Sequence, residues 1–323
     1  MDFNRVKYIP EKVINQQGVA LVLVLWVLVL LTVMSASFSL TMRRESELIR
    51  NAKDRAEATA IADAGIQYAM VMLDQPLLEK RWRGDGTVYE IVFDGVRVRV
   101  QLYEEVGKFD INHASDTDLL QLIESLNIPY DNAAKLVDVI LDWRDGDVFK
   151  RPNGAEENDY RDAGLDYGPR NKPFQSVEEM QLLLDLPQEL YEKLEPLVTV
   201  YSGQSGIDPT KASGQTLKAL PDVNEQIIEN YLAERTESAL NGLPAPPFPA
   251  AVEGQVVGGD SGSVFSVTAE AELYNGARAA VAAVIQRGGR NGNPFGYLEW
   301  KRSFPGKDSL FESTDVVGTI EDE

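Results

Sequence analysis

Between Gly18 and Met42 the chain carries no charged residue, and Val, Leu and Ala dominate the run. At about 1.5 Å per residue, a helix of that length outreaches the ~30 Å hydrocarbon core of a bilayer. Three readings fit: a permanent anchor, a secretory signal that is removed, or a helix trimmed at its near edge and kept. A removable signal has a shorter apolar core ending at small residues, and Ser35, Ala36, Ser37 and Ser39 offer such an ending. Beyond the run, "TMRRESELIRNAKDRAEATAIADAGIQYAMVML" keeps a helical habit with no breaker before Gly65. Its apolar residues recur near the 3.6 period at Leu48, Ile49, Ala52, Ala56, Ala60, Ile61, Ala64, Tyr68 and Met72. The pattern predicts one helix from Gly18 to Leu73, with its second half packed on a globular domain. Bases precede the run at Arg5, Lys7 and Lys12 and follow it at Arg43, Arg44, Arg50, Lys53 and Arg55. Counted alone, they would put the C-terminal side in the cytoplasm.

The chain is long enough for proper cores: 323 residues, 44% hydrophobic and 25% charged, a globular balance. No cysteine is present, which removes disulfides, thiolate metal sites and cysteine nucleophiles. His113 is the single histidine, so histidine metal clusters are excluded. Beside a helix start, it reads as structural. The net charge is −20, and residues 104–200 hold 22 acids against 9 bases. A phosphate backbone would be repelled by that region.

After the helix, "TVYEIVFDG" and "VRVRVQLYEE" alternate about a DG turn and read as a β-hairpin. Three helical hairpins come next, with Pro129, Pro187 and Pro221 at their turns and Ser115 and Ser213 as N-caps. Such repetition signals a structural unit used three times. The units look like helix–hairpin–helix or SAM-like elements, a class that includes DNA binders. Here the turns are acidic and lack the Gly-x-Gly pattern whose amides grip a phosphate backbone. "ALNGLPAPPFPAAVEG" is a Pro/Gly connector. Two alternating runs then meet at Asn275-Gly276, a type I′ hairpin signal, and "FGYLEWKRSF" supplies a last strand. The acidic end reads as a mobile tail. The whole predicts an α+β fold: a long N-terminal helix on an antiparallel sheet, with an all-α domain inserted.

Between the first two hairpins, "LDWRDGDVFKRPNGAEENDYRDAGLDYGPRNKPF" places acids at 142, 145, 147, 156, 157, 159, 162 and 166. Calcium takes six to eight oxygen ligands from flexible loops of this kind. The spacing is not that of an EF-hand, and a solvated acidic loop is the other reading.

The short polar leader, the glycine, the unbroken apolar helix and its amphipathic extension resemble the class III signal of type IV pilins and pseudopilins. That resemblance implies a prepilin peptidase cut after Gly18, methylation of the new amine on Val19, and retention of the helix. Pilin-like subunits usually carry a glutamate at the fifth mature position, which here is Leu23. Its absence marks the K-type minor pseudopilin. With the three hairpins and the "DWRD…RPNGAE…DY" loop, the chain is similar to the general secretion pathway protein K family of type II secretion along nearly its whole length. The family plan implies a leader at 1–18, a transmembrane part at 19–42, and pilin-like helix and strands at 43–109. An inserted α-helical domain at 110–240, returning strands at 241–310 and an acidic tail at 311–323 complete it. A family member holds calcium in this domain, which implies a structural ion here; Asp142, Asp145, Asp147, Glu156, Glu157 and Asp159 are the candidates, with Asn153. The implied role is assembly at the pseudopilus tip, with no catalysis. The implied partners are other minor pseudopilins, the prepilin peptidase, the inner-membrane assembly platform, and secreted substrates or the outer-membrane channel. The implied location is the bacterial inner membrane, single-pass, with the bulk in the periplasm. A type IV pilus minor pilin and a membrane-anchored DNA-binding protein are the rival readings.

Overall fold

A computed structural model describes residues 17–77, 79–220, 223–249, 264–289, 293–303, 309–312 and 316–321; side chains are described except at 17–19, 302–303 and 316–321. Residues 1–16, where the leader is expected, and Pro221 lie outside the described residues. Two units result, one up to Asp54 and one from Arg55 onward.

Helix α1 (Gln17–Leu73) begins one residue before the expected start and ends where expected. In the first unit it is exposed along its length from Ala20 and apolar enough to cross a membrane, with mean hydropathy 2.6. In the second unit its buried stripe is Ala58, Ala62, Ile66, Ala69 and Leu73. Of the expected stripe, Ile61, Tyr68 and Met72 pack against the same core, whereas Leu48 and Ile49 stay 69% and 65% exposed and Ala60 and Ala64 face outward. Small residues decide the matter, because they let the helix axis approach the sheet closely. At Gly65, an added Cβ would lie 2.8 Å from Val98 Cγ1 and 3.3 Å from Ala269 Cβ. That glycine is therefore a contact point within α1, which continues uninterrupted to Leu73.

The sheet uses β1 (Asp85–Phe93), β2 (Val96–Glu104), β5 (Val264–Glu272), β6 (Arg278–Arg287), β7 (Phe295–Ser303) and β8 (Val316–Glu321). Their spatial order is β7-β6-β5-β2-β1-β8. All neighbours are antiparallel except β8, which runs parallel to β1. Val98, Val100, Leu102, Val267, Ala269, Val281 and Ile285 face α1 and close one core. The β1–β2 turn has both Asp94 (φ 47°) and Gly95 (φ 78°) in the left-handed region, as a type I′ turn demands. The β5–β6 turn departs from the expected type I′. Of the Asn275-Gly276 pair only Gly276 has positive φ (82°), and its N–H donates to the Leu273 carbonyl at 2.9 Å. With Leu273 N–H donating to the Ala277 carbonyl, this is a type I turn closed by a glycine bulge.

The expected mobile tail is also corrected. Buried Glu270 accepts from Ser309 Oγ (2.8 Å) and Leu310 N–H (2.7 Å). The guanidinium groups of Arg97, Arg99 and Arg278 lie 4.9–5.2 Å from the Phe311 ring centre. Strand β8 then joins the sheet edge, giving the acidic end a place in the fold.

Strands β2 and β5 are neighbours, so everything from Glu105 to 263 is inserted between adjacent strands. The insert comprises β3 (Phe109–Asp110), α2 (Asp116–Ser125), α3 (Tyr130–Arg144), α4 (Glu157–Asp162), α5 (Gln188–Leu194), β4 (Val198–Thr199), α6 (Gly214–Lys218) and α7 (Glu225–Leu240). Its three hairpins share one core, from Ile111 and Leu119 through Ile140 and Met180 to Leu217 and Ile228. Ser115 caps α2 by accepting from Asp118 N–H, and Ser213 caps α6 by accepting from Thr216 N–H. Pro129 and Pro187 sit at the N-caps of α3 and α5. Two residues before each proline the chain turns left-handed, at Asn127 (φ 62°) and Asp185 (φ 60°). The second hairpin opens with a 3₁₀ segment, Val177–Leu182, where an α-helix was expected. The parallel pair β3–β4 closes the base of the insert. Arg235 ties the insert to the sheet, donating to the Asp85 carbonyl (3.0 Å) and the Ala212 carbonyl (2.8 Å).

Candidate metal centre

The last turn of α3 and the loop to α4 bring Glu156 beside Asp145 and Asp147, eleven and nine residues before it in the chain. Asp142 is on the final turn of α3 and fully buried. Arg151 N–H donates to both its oxygens, at 3.2 and 3.3 Å. Gly154 packs against it so closely that an added Cβ would overlap Asp142 Oδ2. Asp145 caps the C-terminus of α3, where the helix dipole disfavours a carboxylate. Glu156 caps the N-terminus of α4. Oxygens of Asp145, Asp147 and Glu156 lie within 4.8 Å of one another.

Such crowding has an electrostatic cost. Burial, then the charges of Asp142, Asp145 and Asp147, push the Glu156 carboxyl up to about 7. Burial, then Asp147, raises Asp145, and burial raises Asp142. Asp145 Oδ1 and Glu156 Oε1 are buried with no hydrogen-bond partner among the described residues. Three convergent carboxylates, two of them with an unmet buried oxygen, and no nitrogen or sulfur ligand suit a hard cation.

The other candidates are engaged elsewhere. Asp159 accepts from Glu156 N–H (2.9 Å) and pairs with Lys150, which lowers its pKa. Glu157 pairs with Arg161 at 2.8 Å. Asn153 donates twice to Asp138, at 3.0 and 3.1 Å. These three brace the loop. Sequence reasoning missed Asn171, whose Nδ2 donates to the Asp147 carbonyl at 2.7 Å while its Oδ1 is buried without a partner. Its place in "GPRNKP", with left-handed φ of 52°, was the available signal. Arg144 also anchors the loop, donating to the Ile111 and Ala114 carbonyls. His113 lies 3.1 Å from the buried carboxylate of Asp110, on the β3–α2 turn. The expected processing residues, Gly18 and Val19, fall in the first turn of α1.

A helix-on-sheet core interrupted by a helical insert between adjacent strands defines a pilin-like subunit with a large inserted domain. A family model described as "Type II secretion system (T2SS), protein K" matches residues 102–203, the stretch that holds the acidic loop. Type II secretion system protein K of Pseudomonas aeruginosa is 25% identical over 68% of this chain and 73% of its own length. The protein of the same name from Klebsiella pneumoniae is 25% identical over 59% of this chain and 64% of its own. A solved chain of the GspK–GspI–GspJ complex from enterotoxigenic Escherichia coli matches in fold, with TM-score 0.52 and 20% identity, covering 81% of this chain and 99% of that one. Residues 102–203 thus match the type II secretion system protein K family, and about two thirds of the chain is similar to proteins of that name, which are structural components of a secretion system.

Proposed function

We propose that this chain is a minor pseudopilin that ends the pseudopilus at its tip and helps start its assembly, so that folded proteins cross the outer membrane. The observation that carries the reading is the insert of residues 105–263 between the neighbouring strands β2 and β5. It adds a bulk that a subunit stacked above would have to accommodate. Leu23 supports the same position: it cannot pair with the terminal amine of a neighbour, as an intramembrane carboxylate would. On this reading a prepilin peptidase cuts after Gly18, Val19 is methylated, and α1 anchors the chain in the inner membrane with the bulk in the periplasm. Lateral packing then joins it to two further minor pseudopilins, as the solved relative is joined to GspI and GspJ. The inner-membrane platform, and secreted substrates or the outer-membrane channel, are its further contacts.

A structural calcium ion belongs to the same proposal. Asp145, Asp147 and Glu156 hold it, and Asp142 shapes the loop behind them. Its charge relieves the repulsion among these carboxylates and fixes a loop whose ordering otherwise costs backbone entropy.

The test is to express the full chain with the other minor pseudopilins of its system. Mass spectrometry should find a methylated N-terminus at Val19, and Gly18→Ala should leave the precursor uncut and stop secretion. Gold-labelled chain should sit at one end of isolated pseudopili. Label along the shaft would refute the tip position, and an N-terminus near Ser39 would refute the processing.

A further inference from the structure

Between the end of α1 and the start of β1 the chain loops past the end of α7, enclosing a cleft of about 790 Å³. That volume lies within the ~300–1,000 Å³ typical of ligand sites. The cleft shares no residue with the acidic loop. Trp82 and Tyr89 stack at 4.2 Å, nearly parallel, and with Phe265 they give it an aromatic wall. Leu243 lines it while 56% exposed.

Its charge runs against the rest of the molecule. In a chain of net charge −20, Lys80, Arg81, Arg83, Lys211 and Arg287 face only Glu79 and Glu104 across the cleft. Glu104 is already neutralised by Lys211, at 2.7 Å. Arg83 and Arg287 are held by backbone, donating through Nη2 to the Leu243 and Leu73 carbonyls. Yet Arg83 Nη1 and Arg287 Nε are buried with no acceptor among the described residues. Guanidinium groups fixed in this way, with donors unmet, are prepared for carboxylates.

We propose that this cleft binds an acidic, apolar peptide segment of another protein. Its carboxylates meet the Arg83–Arg287 side, and its apolar side chains lie on Trp82, Tyr89 and Leu243. Charge complementarity selects the partner, and the aromatic wall supplies contact area at low entropic cost.

The full chain in lipid nanodiscs is titrated against a fluorescent peptide of alternating leucine and glutamate, followed by anisotropy. Saturable binding that weakens with salt is expected. Lys80→Glu with Leu243→Asp, both exposed and outside the cores, should weaken it about tenfold, close to 1.4 kcal/mol, without changing Tm. Equal binding of a leucine–lysine peptide would overturn the proposal, as would full competition by inorganic phosphate. Binding that emerges only after protease cuts the 250–263 connector would assign the cleft to the chain's own segment and overturn it too.

Discussion

Glu156 keeps only 8% of its surface exposed, and its carboxyl is pushed up to about 7 by burial and three nearby acids. A carboxyl raised on folding stabilises the folded state while protonated. That contribution is present in full below the unfolded value near 4.5 and is lost as pH rises through about 7. Chelator-treated protein should therefore melt at progressively lower temperature between pH 5 and pH 8. Calcium should restore most of the loss at pH 8 and little at pH 5, because protons and the ion compete for the same oxygens. Glu156→Gln should flatten the pH profile and abolish the calcium response, as read by differential scanning calorimetry. Gly154 is the second sensitive residue. Gly154→Ala would push into the Asp142 carboxylate and should cost about 2 kcal/mol in chemical denaturation, with a weaker calcium response. The acids of this site were legible in sequence, but their division of labour was not. Asp159 and Glu157 are set apart from Glu156 by their partners, Lys150 and Arg161, and the Lys150 pair forms only when the loop folds back on α4.

Helix α1 illustrates what an element can hide. Gly65 in a helix interior normally costs about 1 kcal/mol against alanine. Here it sits in tight contact with β2 and β5, facing Val98 and Ala269. Gly65→Leu should improve helix propensity and still destabilise the protein by about 3 kcal/mol, because the sheet beneath cannot yield. Equilibrium urea unfolding measures it, and a stabilised variant would show that the helix can lift. The hydrophobic period identified the helix and its length. It caught Ile61, Tyr68 and Met72 at the rim of the buried face and missed the centre of that face, because alanine and glycine carry little hydrophobic signal, whereas contact distance favours them. The hairpin helices were legible through their prolines and serine caps, since capping is local chemistry.

For the molecule as a whole, the C-terminal segment matters more than its composition suggests. Ser309 and Leu310 satisfy buried Glu270, Phe311 lies among three arginines, and β8 covers the edge of β1. Truncation after Gly306 should leave Glu270 buried without its donors and lower Tm. It should also expose the β1 edge, and light scattering should report increased self-association. Unchanged melting and scattering would mean that the segment adds nothing to the fold.

Local and periodic features of the sequence determined the long helix, the strand hairpins, the caps and the acidity of the loop. They carried the resemblance to the protein K family as well, because Gly18, Leu23 and the "DWRD…RPNGAE" loop are read along the chain. Only the tertiary structure decided which helix face is buried, how the Asn275-Gly276 turn closes, and that the acidic tail pairs with β1. It alone selected Asp145, Asp147 and Glu156 from the surrounding acids, and it alone assembled the basic cleft from segments more than 200 residues apart. Propensity and capping act over a few residues. Close packing, desolvation and charge pairing act between residues that only folding makes neighbours.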